Sequence, residues 1–314
     1  MQFSRRAVLK TALAGATSLC APGLVRATLR PDASSPALTT TPLTENLLLI
    51  QGAGGNVVVA TSSDGVLMVD GGSRERSAEL LKLIDAHTGG RPIKTLFNTH
   101  WHWDHTGSNE ALAERGATII AHENTRLWLG TEVHSKWEQR TYLPFPQKAL
   151  PNQTFFYGSK ELSFGGRRIE YGYLPQAHTD GDIYVSFPED NVLVAGDVVS
   201  GGRYPIVDYS TTGWLGGMIN GLKTLIGKCD AGTRIVPGAG PLRSKADLES
   251  QLEMCFTVLS RISQSYYKGE TWAELVASRP TREFDAEWGD PELFLKMAYE
   301  GAWYHINEIR RVTR

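Results

Sequence analysis

The apolar positions fall into short blocks of two kinds, separated by clusters of glycine and polar residues. Near-continuous runs such as Leu47-Leu48-Leu49-Ile50, Asn56-Val57-Val58-Val59-Ala60 and Val66-Leu67-Met68-Val69 have the length and β-branched content of strands buried on both faces. Asp64-Gly65 between the last two marks a hairpin. Helical spacing takes over from Ser73 to Ala86, where Ala78, Leu81 and Ile84 share a face. The same reading gives strands at 94–98, 117–121, 168–174, 183–187, 192–195 and 234–236. It gives helices at 109–115, 124–129, 213–226, 245–267, 271–278 and 291–311. Residues 130–158 are irregular and rich in aromatics, either a loop over a site or a packing segment. Two successive groups of strands and helices suit an α/β fold of two sheets packed face to face with helices outside.

The N-terminus departs from this pattern. Ser4-Arg5-Arg6-Ala7-Val8-Leu9-Lys10 precedes a mildly apolar stretch to Leu24 and a small-residue end at Val25-Arg26-Ala27. Residues 1–27 read as a signal peptide, and the paired arginines resemble the twin-arginine export signal. Pro22 and Arg26 interrupt the stretch, which argues against a stable membrane anchor. Residues 28–45, rich in Thr, Ser and Pro, read as a flexible leader, and 46–314 as one domain with C-terminal helices. The expected location is the periplasm and the expected export partner the twin-arginine machinery. Of three cysteines, the mature chain keeps Cys229 and Cys255, either a pair or two buried thiols. With 32 basic against 34 acidic residues, a net charge of −2 and no basic run, nucleic acid is excluded as the main partner. A small-molecule substrate is expected.

The chemistry concentrates at one strand end. His100, His102, Asp104 and His105 lie within six residues, and the whole chain has only 8 histidines. Imidazole and carboxylate at this density are ligands for a zinc-type ion. The segment Asn98-Thr99-His100-Trp101-His102-Trp103-Asp104-His105-Thr106-Gly107 resembles the signature of the metallo-β-lactamase superfamily, as does the earlier Val69-Asp70-Gly71-Gly72.

That resemblance implies an αββα sandwich with the metal site at one edge. It implies that His100, His102 and His178 hold a first zinc, that Asp104 and His105 hold a second, and that Asp197 bridges them. Asp70 and Asp182 are expected as carboxylates behind ligand imidazoles. Trp101 and Trp103 either line the pocket or pack on the sheet edge. The family often supplies a further histidine to the second metal from a Pro-Gly-His-Gly turn. Here the turn is Pro237-Gly238-Ala239-Gly240, so a tight first and a weaker second zinc are expected, unless His122, His134, Asp208 or Tyr209 substitutes.

Zinc makes hydroxide available near neutral pH, and Asp104 is the expected catalytic group, orienting water and taking its proton. The expected activity is hydrolysis of an ester, thioester, amide or lactam, with lactams less favoured because the late histidine is missing and Asp197 stands where the lactamase branch carries cysteine. The alternative is a non-catalytic metal-binding accessory protein. Only helices follow residue 241, which leaves no flavin domain. Replacing Arg5 and Arg6 by Lys is expected to hold the protein in the cytoplasm; cell fractionation that finds normal export of this variant refutes the routing.

Overall fold

The structure, a computed structural model, describes residues 36–306 and 308. The segment read as a signal peptide, and the expected leader as far as residue 35, lie outside them. In chain order the strands are β1 (Thr39–Pro42), β2 (Leu47–Ala53), β3 (Gly55–Ser62), β4 (Gly65–Val69), β5 (Ile93–Phe97), β6 (Thr118–His122), β7 (Val133–Ser135), β8 (Arg140–Tyr142), β9 (Gln153–Phe155), β10 (Ser159–Phe164), β11 (Arg167–Tyr173), β12 (Ile183–Phe187), β13 (Val192–Gly196) and β14 (Arg234–Pro237). The helices are α1 (Ser77–Thr88), α2 (Trp103–Thr106), α3 (Asn109–Glu114), α4 (Glu123–Leu129), α5 (Leu215–Ile226), α6 (Lys245–Lys268), α7 (Trp272–Ala277), α8 (Asp285–Trp288) and α9 (Glu292–Tyr304).

One sheet has the order β1-β2-β3-β4-β5-β6-β9 and the other β10-β11-β12-β13-β14. The period of two explains why their strands read as unbroken apolar runs. On β3 and β4, Val58, Ala60, Leu67 and Val69 face inward, against Ile169, Tyr171, Val185 and Val194 of the second sheet. The alternate residues Val57, Val59, Val66 and Met68 pack under Leu80, Leu81 and Ile84 of α1. The outer face of the second sheet, including Tyr184, Leu193 and Ile235, is covered by α5, α6 and α9. The central strands of each sheet are therefore buried on both faces, and the αββα sandwich expected from the sequence is the fold. Each fully buried aliphatic side chain in these layers contributes about 1.5–3 kcal/mol.

Three local expectations need correction. The leader is not wholly irregular: Thr39 to Pro42 pair antiparallel with Leu48 to Gln51, and Leu43 is buried. Edge strands need little apolar signal, because their backbone bonds do the pairing. Residues 130–158 contain the small hairpin β7–β8 and the edge strand β9, which pairs with β6. Strand β10 is mostly exposed and polar, so alternation could not reveal it. Cys229 and Cys255 are both buried and free. Among the described residues no helix is long and apolar enough to cross a membrane.

Helix α5 approaches the loop between β11 and β12 backbone to backbone. A Cβ on Gly217 would lie 1.8 Å from the Gln176 carbonyl oxygen, and one on Gly213 would lie 2.0 Å from that of His178. The helix thus fixes the loop that carries His178. Gly217→Ala is expected to destabilise the fold by about 1–3 kcal/mol or more. Gly227→Ala, at the end of the same helix where a Cβ meets only ordinary contacts at 3.4 Å, should leave thermal melting nearly unchanged. Equal melting of both variants would show that the close approach is not required.

Candidate metal centre

The site assembles from loops that leave the strands at one edge of the sandwich. Strand β5 runs into His100, His102, Asp104 and His105; the loop after β11 brings His178; the end of β13 brings Asp197. His100 Nε2, His102 Nδ1, His178 Nε2 and one Asp197 oxygen form a cluster whose candidate ligand atoms lie within 4.8 Å of one another. Asp197 Oδ2 is 3.8 Å from His100 Nε2 and 3.7 Å from His178 Nε2. Its other oxygen, Oδ1, is 3.6 Å from His105 Nε2, which is also 3.9 Å from Asp104 Oδ2. One carboxylate therefore faces two groups of donors, which is the arrangement a bridging ligand requires.

The imidazole orientations are set from behind. His105 Nδ1 lies 2.8 Å from Asp70 Oδ2, and His102 Nε2 lies 3.1 Å from Asp208 Oδ2. His178 Nδ1 is 3.0 Å from the Ile206 carbonyl. These partners only accept, so each of the three ring nitrogens must donate. The Thr99 hydroxyl donates to Asp70 at 2.8 Å and accepts from His100 Nδ1 at 3.0 Å. All four rings thus have an outward N–H, and the nitrogen that each turns inward is the one left for a metal ion.

Nothing among the described residues satisfies two of those inward atoms: His100 Nε2 and His105 Nε2 are buried without a hydrogen-bond partner. The other two, His102 Nδ1 and His178 Nε2, stand 3.0 Å apart; with both outer nitrogens donating, either a proton on His102 or a cation beside both rings joins them. Unpaired buried polar atoms are costly. The donor set, nitrogen with carboxylate oxygen, fits a divalent metal ion.

Charge supports the same conclusion. Burial, then the neighbouring imidazoles of His105, His102 and His178, hold His100 well below the ordinary histidine value. Burial and His102 lower His178. Both are neutral and ready to bind. Burial alone would also lower His105, but Asp70, Asp104 and Asp197 outweigh it and push it up to about 10. This is a place where the protein demands positive charge. Burial would raise Asp208, yet its bond to His102 holds it at about 2.

The structure brings His100, His102, His178 and Asp197 into this cluster, places His105 and Asp104 beside it, and puts Asp70 behind His105. Asp182 is a correction: its two oxygens accept from the Thr179 backbone and hydroxyl at 2.8 Å. It closes the His178 loop and reaches no imidazole. The second carboxylate is Asp208, which sequence reasoning had placed only among substitute ligands. Nothing in Ile206-Val207-Asp208-Tyr209 signals its role. Trp101 is buried and donates to Thr211 at 3.1 Å, so it packs; Trp103 is half-buried.

Ala239 has no replacement among the named candidates. His122 stacks on Tyr173 and lies 3.0 Å from the Phe156 carbonyl, His134 is exposed on β7 beside Thr141, and Tyr209 bonds to Glu300. Glycines make the remaining room. A Cβ on Gly238 would fall 1.8 Å from Asp197 Oδ1, and one on Gly55 would fall 2.7 Å from the His105 ring. A cavity of about 170 Å³ opens beside the cluster, lined by Asp197, Ser200, Arg203, Tyr204, Ile206 and Ala239.

Comparison with known proteins agrees with this geometry. Residues 50–254 match the family model of the metallo-beta-lactamase superfamily. The chain is 28% identical over 183 residues to the 2,4-dinitroanisole O-demethylase subunit alpha of Nocardioides sp. (strain JS1661), covering 57% of this chain and 52% of that protein. It is 29% identical over 114 residues to the hydroxyacylglutathione hydrolase of Thermosynechococcus vestitus, covering 36% and 37%. The chain thus spans about half or less of the length of these two curated relatives. In fold it is similar to the sec-alkylsulfatase Pisa1 from Pseudomonas sp., with a TM-score of 0.66 at 15% identity over 84% of this chain and 50% of that one.

The lost donor at position 239 has a direct test. Ala239→His is expected to raise tightly held metal from about one to two ions per chain. Elemental analysis after dialysis reads this. Two firmly held ions in the unaltered protein would mean that the second position is complete without a late histidine.

Proposed function

The chain belongs to the metallo-β-lactamase superfamily, and from that premise we propose that it is an exported, zinc-dependent hydrolase acting on an ester, thioester, amide or lactam bond. The observation that carries the reading is the convergence of four inward-facing imidazole nitrogens with Asp104 and Asp197. Such a set of donors, fixed from behind and open to a cavity, suits catalysis better than a closed structural site. A zinc ion, when bound, supplies Lewis acidity and makes hydroxide available at neutral pH.

The protein's own groups do the rest. His100, His102 and His178 would hold the first ion, each with a fixed tautomer. Asp197 and His105 define the second position together with Asp104. The Asp104 side chain is 28% exposed, which leaves it open to water and to substrate. Its carboxylate orients the attacking water and receives its proton. Asp70 and Asp208 keep the rings from turning, a role worth about 10- to 100-fold in metal affinity or activity. The Arg5-Arg6 signal supports export to the periplasm.

The second reading is an accessory protein that binds metal without turnover, and Ala239 motivates it. Chelation is expected to abolish ester hydrolysis and zinc to restore it. Asp104→Asn is expected to lower kcat by about 10²- to 10⁴-fold with the first ion retained. A zinc-loaded protein that turns over no ester, thioester, amide or lactam would favour the accessory reading.

A further inference from the structure

The hairpin β7–β8 is tied to the metal site by its tip. Its strands pair Val133 with Tyr142 and Ser135 with Arg140, leaving Lys136 to Gln139 as the turn. The Lys136 backbone N–H donates to Ser210 at 3.1 Å, and Trp137 Nε1 donates to Asp208 Oδ1 at 3.2 Å. Asp208 is the carboxylate that holds His102, and the Trp137 ring lies 6.4 Å from that imidazole. The hairpin therefore stands over the ligand segment.

Its second strand brings Arg140 to the same place. The guanidinium carbon lies 5.5 Å from the Trp103 ring centroid and 4.7 Å from that of Tyr142. Trp103 directly precedes Asp104, and Tyr142 is held by its hydroxyl donating to Glu138 at 2.8 Å. Among the described residues the Arg140 guanidinium makes no hydrogen bond or ion pair; it has only these ring contacts and longer-range charge effects. Aromatic faces hold an arginine flat and leave its N–H edges free. Those edges match a planar or tetrahedral oxyanion.

Resting on the hydrolase reading, we infer that Arg140, stacked with Trp103 and Tyr142, is a specificity-determining residue that receives an anionic, carboxylate-type group of the substrate while the scissile bond lies at the metal centre. Glu138 accepts from the Tyr142 hydroxyl and makes no ion pair with Arg140, so the cation remains available to a ligand.

A matched pair of substrates tests this: the acetate ester of 4-hydroxybenzoate and that of neutral 4-hydroxybenzamide. Arg140→Ala is expected to raise KM for the carboxylate ester about 10- to 100-fold, the range for a lost charge-assisted bond, and to leave kinetics on the carboxamide within about twofold. Arg140→Lys, which keeps charge but loses the flat stack, should fall between. Calorimetric titration with benzoate gives a readout free of turnover, in which Arg140→Ala should lose at least about tenfold in affinity. Equal losses on both esters would reduce Arg140 to a structural role and overturn the inference. So would a loss confined to Arg203→Ala, the exposed arginine lining the cavity, or wild-type protein that neither binds benzoate nor prefers the carboxylate ester. If the wild type cleaves neither ester yet binds benzoate through Arg140, the anion site stands, and turnover of thioester, amide and lactam substrates decides the hydrolase reading separately.

Discussion

The site depends on where four imidazole N–H groups are spent. Asp70, Thr99, Asp208 and the Ile206 carbonyl take them, and this turns the other four nitrogens toward one another. A free imidazole places its proton on either nitrogen, and a ring with the wrong tautomer presents a donor to the metal position. The acceptors behind the rings remove that choice before any ion arrives. The same arrangement leaves buried nitrogens unsatisfied, an energetic cost that a bound cation offsets. Stability and metal binding are coupled here, because an ion that binds only the folded chain adds its binding free energy to folding.

The sandwich supplies what the tautomers require, which is rigidity at a loop-built edge. Asp70 sits at the end of β4 with a positive φ of 63°, a conformation that aspartate tolerates better than most residues. There its carboxylate reaches the Thr99 backbone at 2.8 Å as well as the His105 ring. One side chain thereby joins two neighbouring strand ends to a ligand. On the other sheet, α5 presses against the His178 loop through glycine, and Asp182 closes that loop through Thr179. The close contacts at Gly55 and Gly238 place ligand side chains against backbone. Large residues there would displace His105 and Asp197 before they affected the core.

What the chain revealed in advance follows from which interactions are local. The ligand segment from His100 to His105 is contiguous, so its density alone declared it, and the fully buried strands declared themselves by unbroken apolar runs. His178 and Asp197 needed the family resemblance, since each is an ordinary residue in its own neighbourhood. Asp208 was missed as a partner because its meaning lies 106 positions away, at His102. Asp182 was misplaced for the opposite reason: a carboxylate four residues after a ligand has a nearer use, in its own turn. Strands β1, β9 and β10 were hidden because edges and solvent-facing strands are specified by backbone pairing more than by side-chain pattern.

Ala239 gives the site its particular balance. Asp70, Asp104 and Asp197 surround His105 strongly enough to hold a proton on it up to about pH 10 when no ion is bound. That proton and a second metal compete for the same negative field. A late histidine would add a neutral donor that only the metal can use, tilting the competition toward the ion. Alanine adds nothing, so an ion beside His105 would have to displace the proton with His105, Asp104 and Asp197 alone. At the first position burial and mutual repulsion hold His100 and His178 low, while His102, which burial alone would lower, is raised by Asp208, so an ion entering there also meets a proton. Asp197, whose two oxygens face the His100 and His178 nitrogens on one side and His105 on the other, is the group through which a charge on one side is felt on the other.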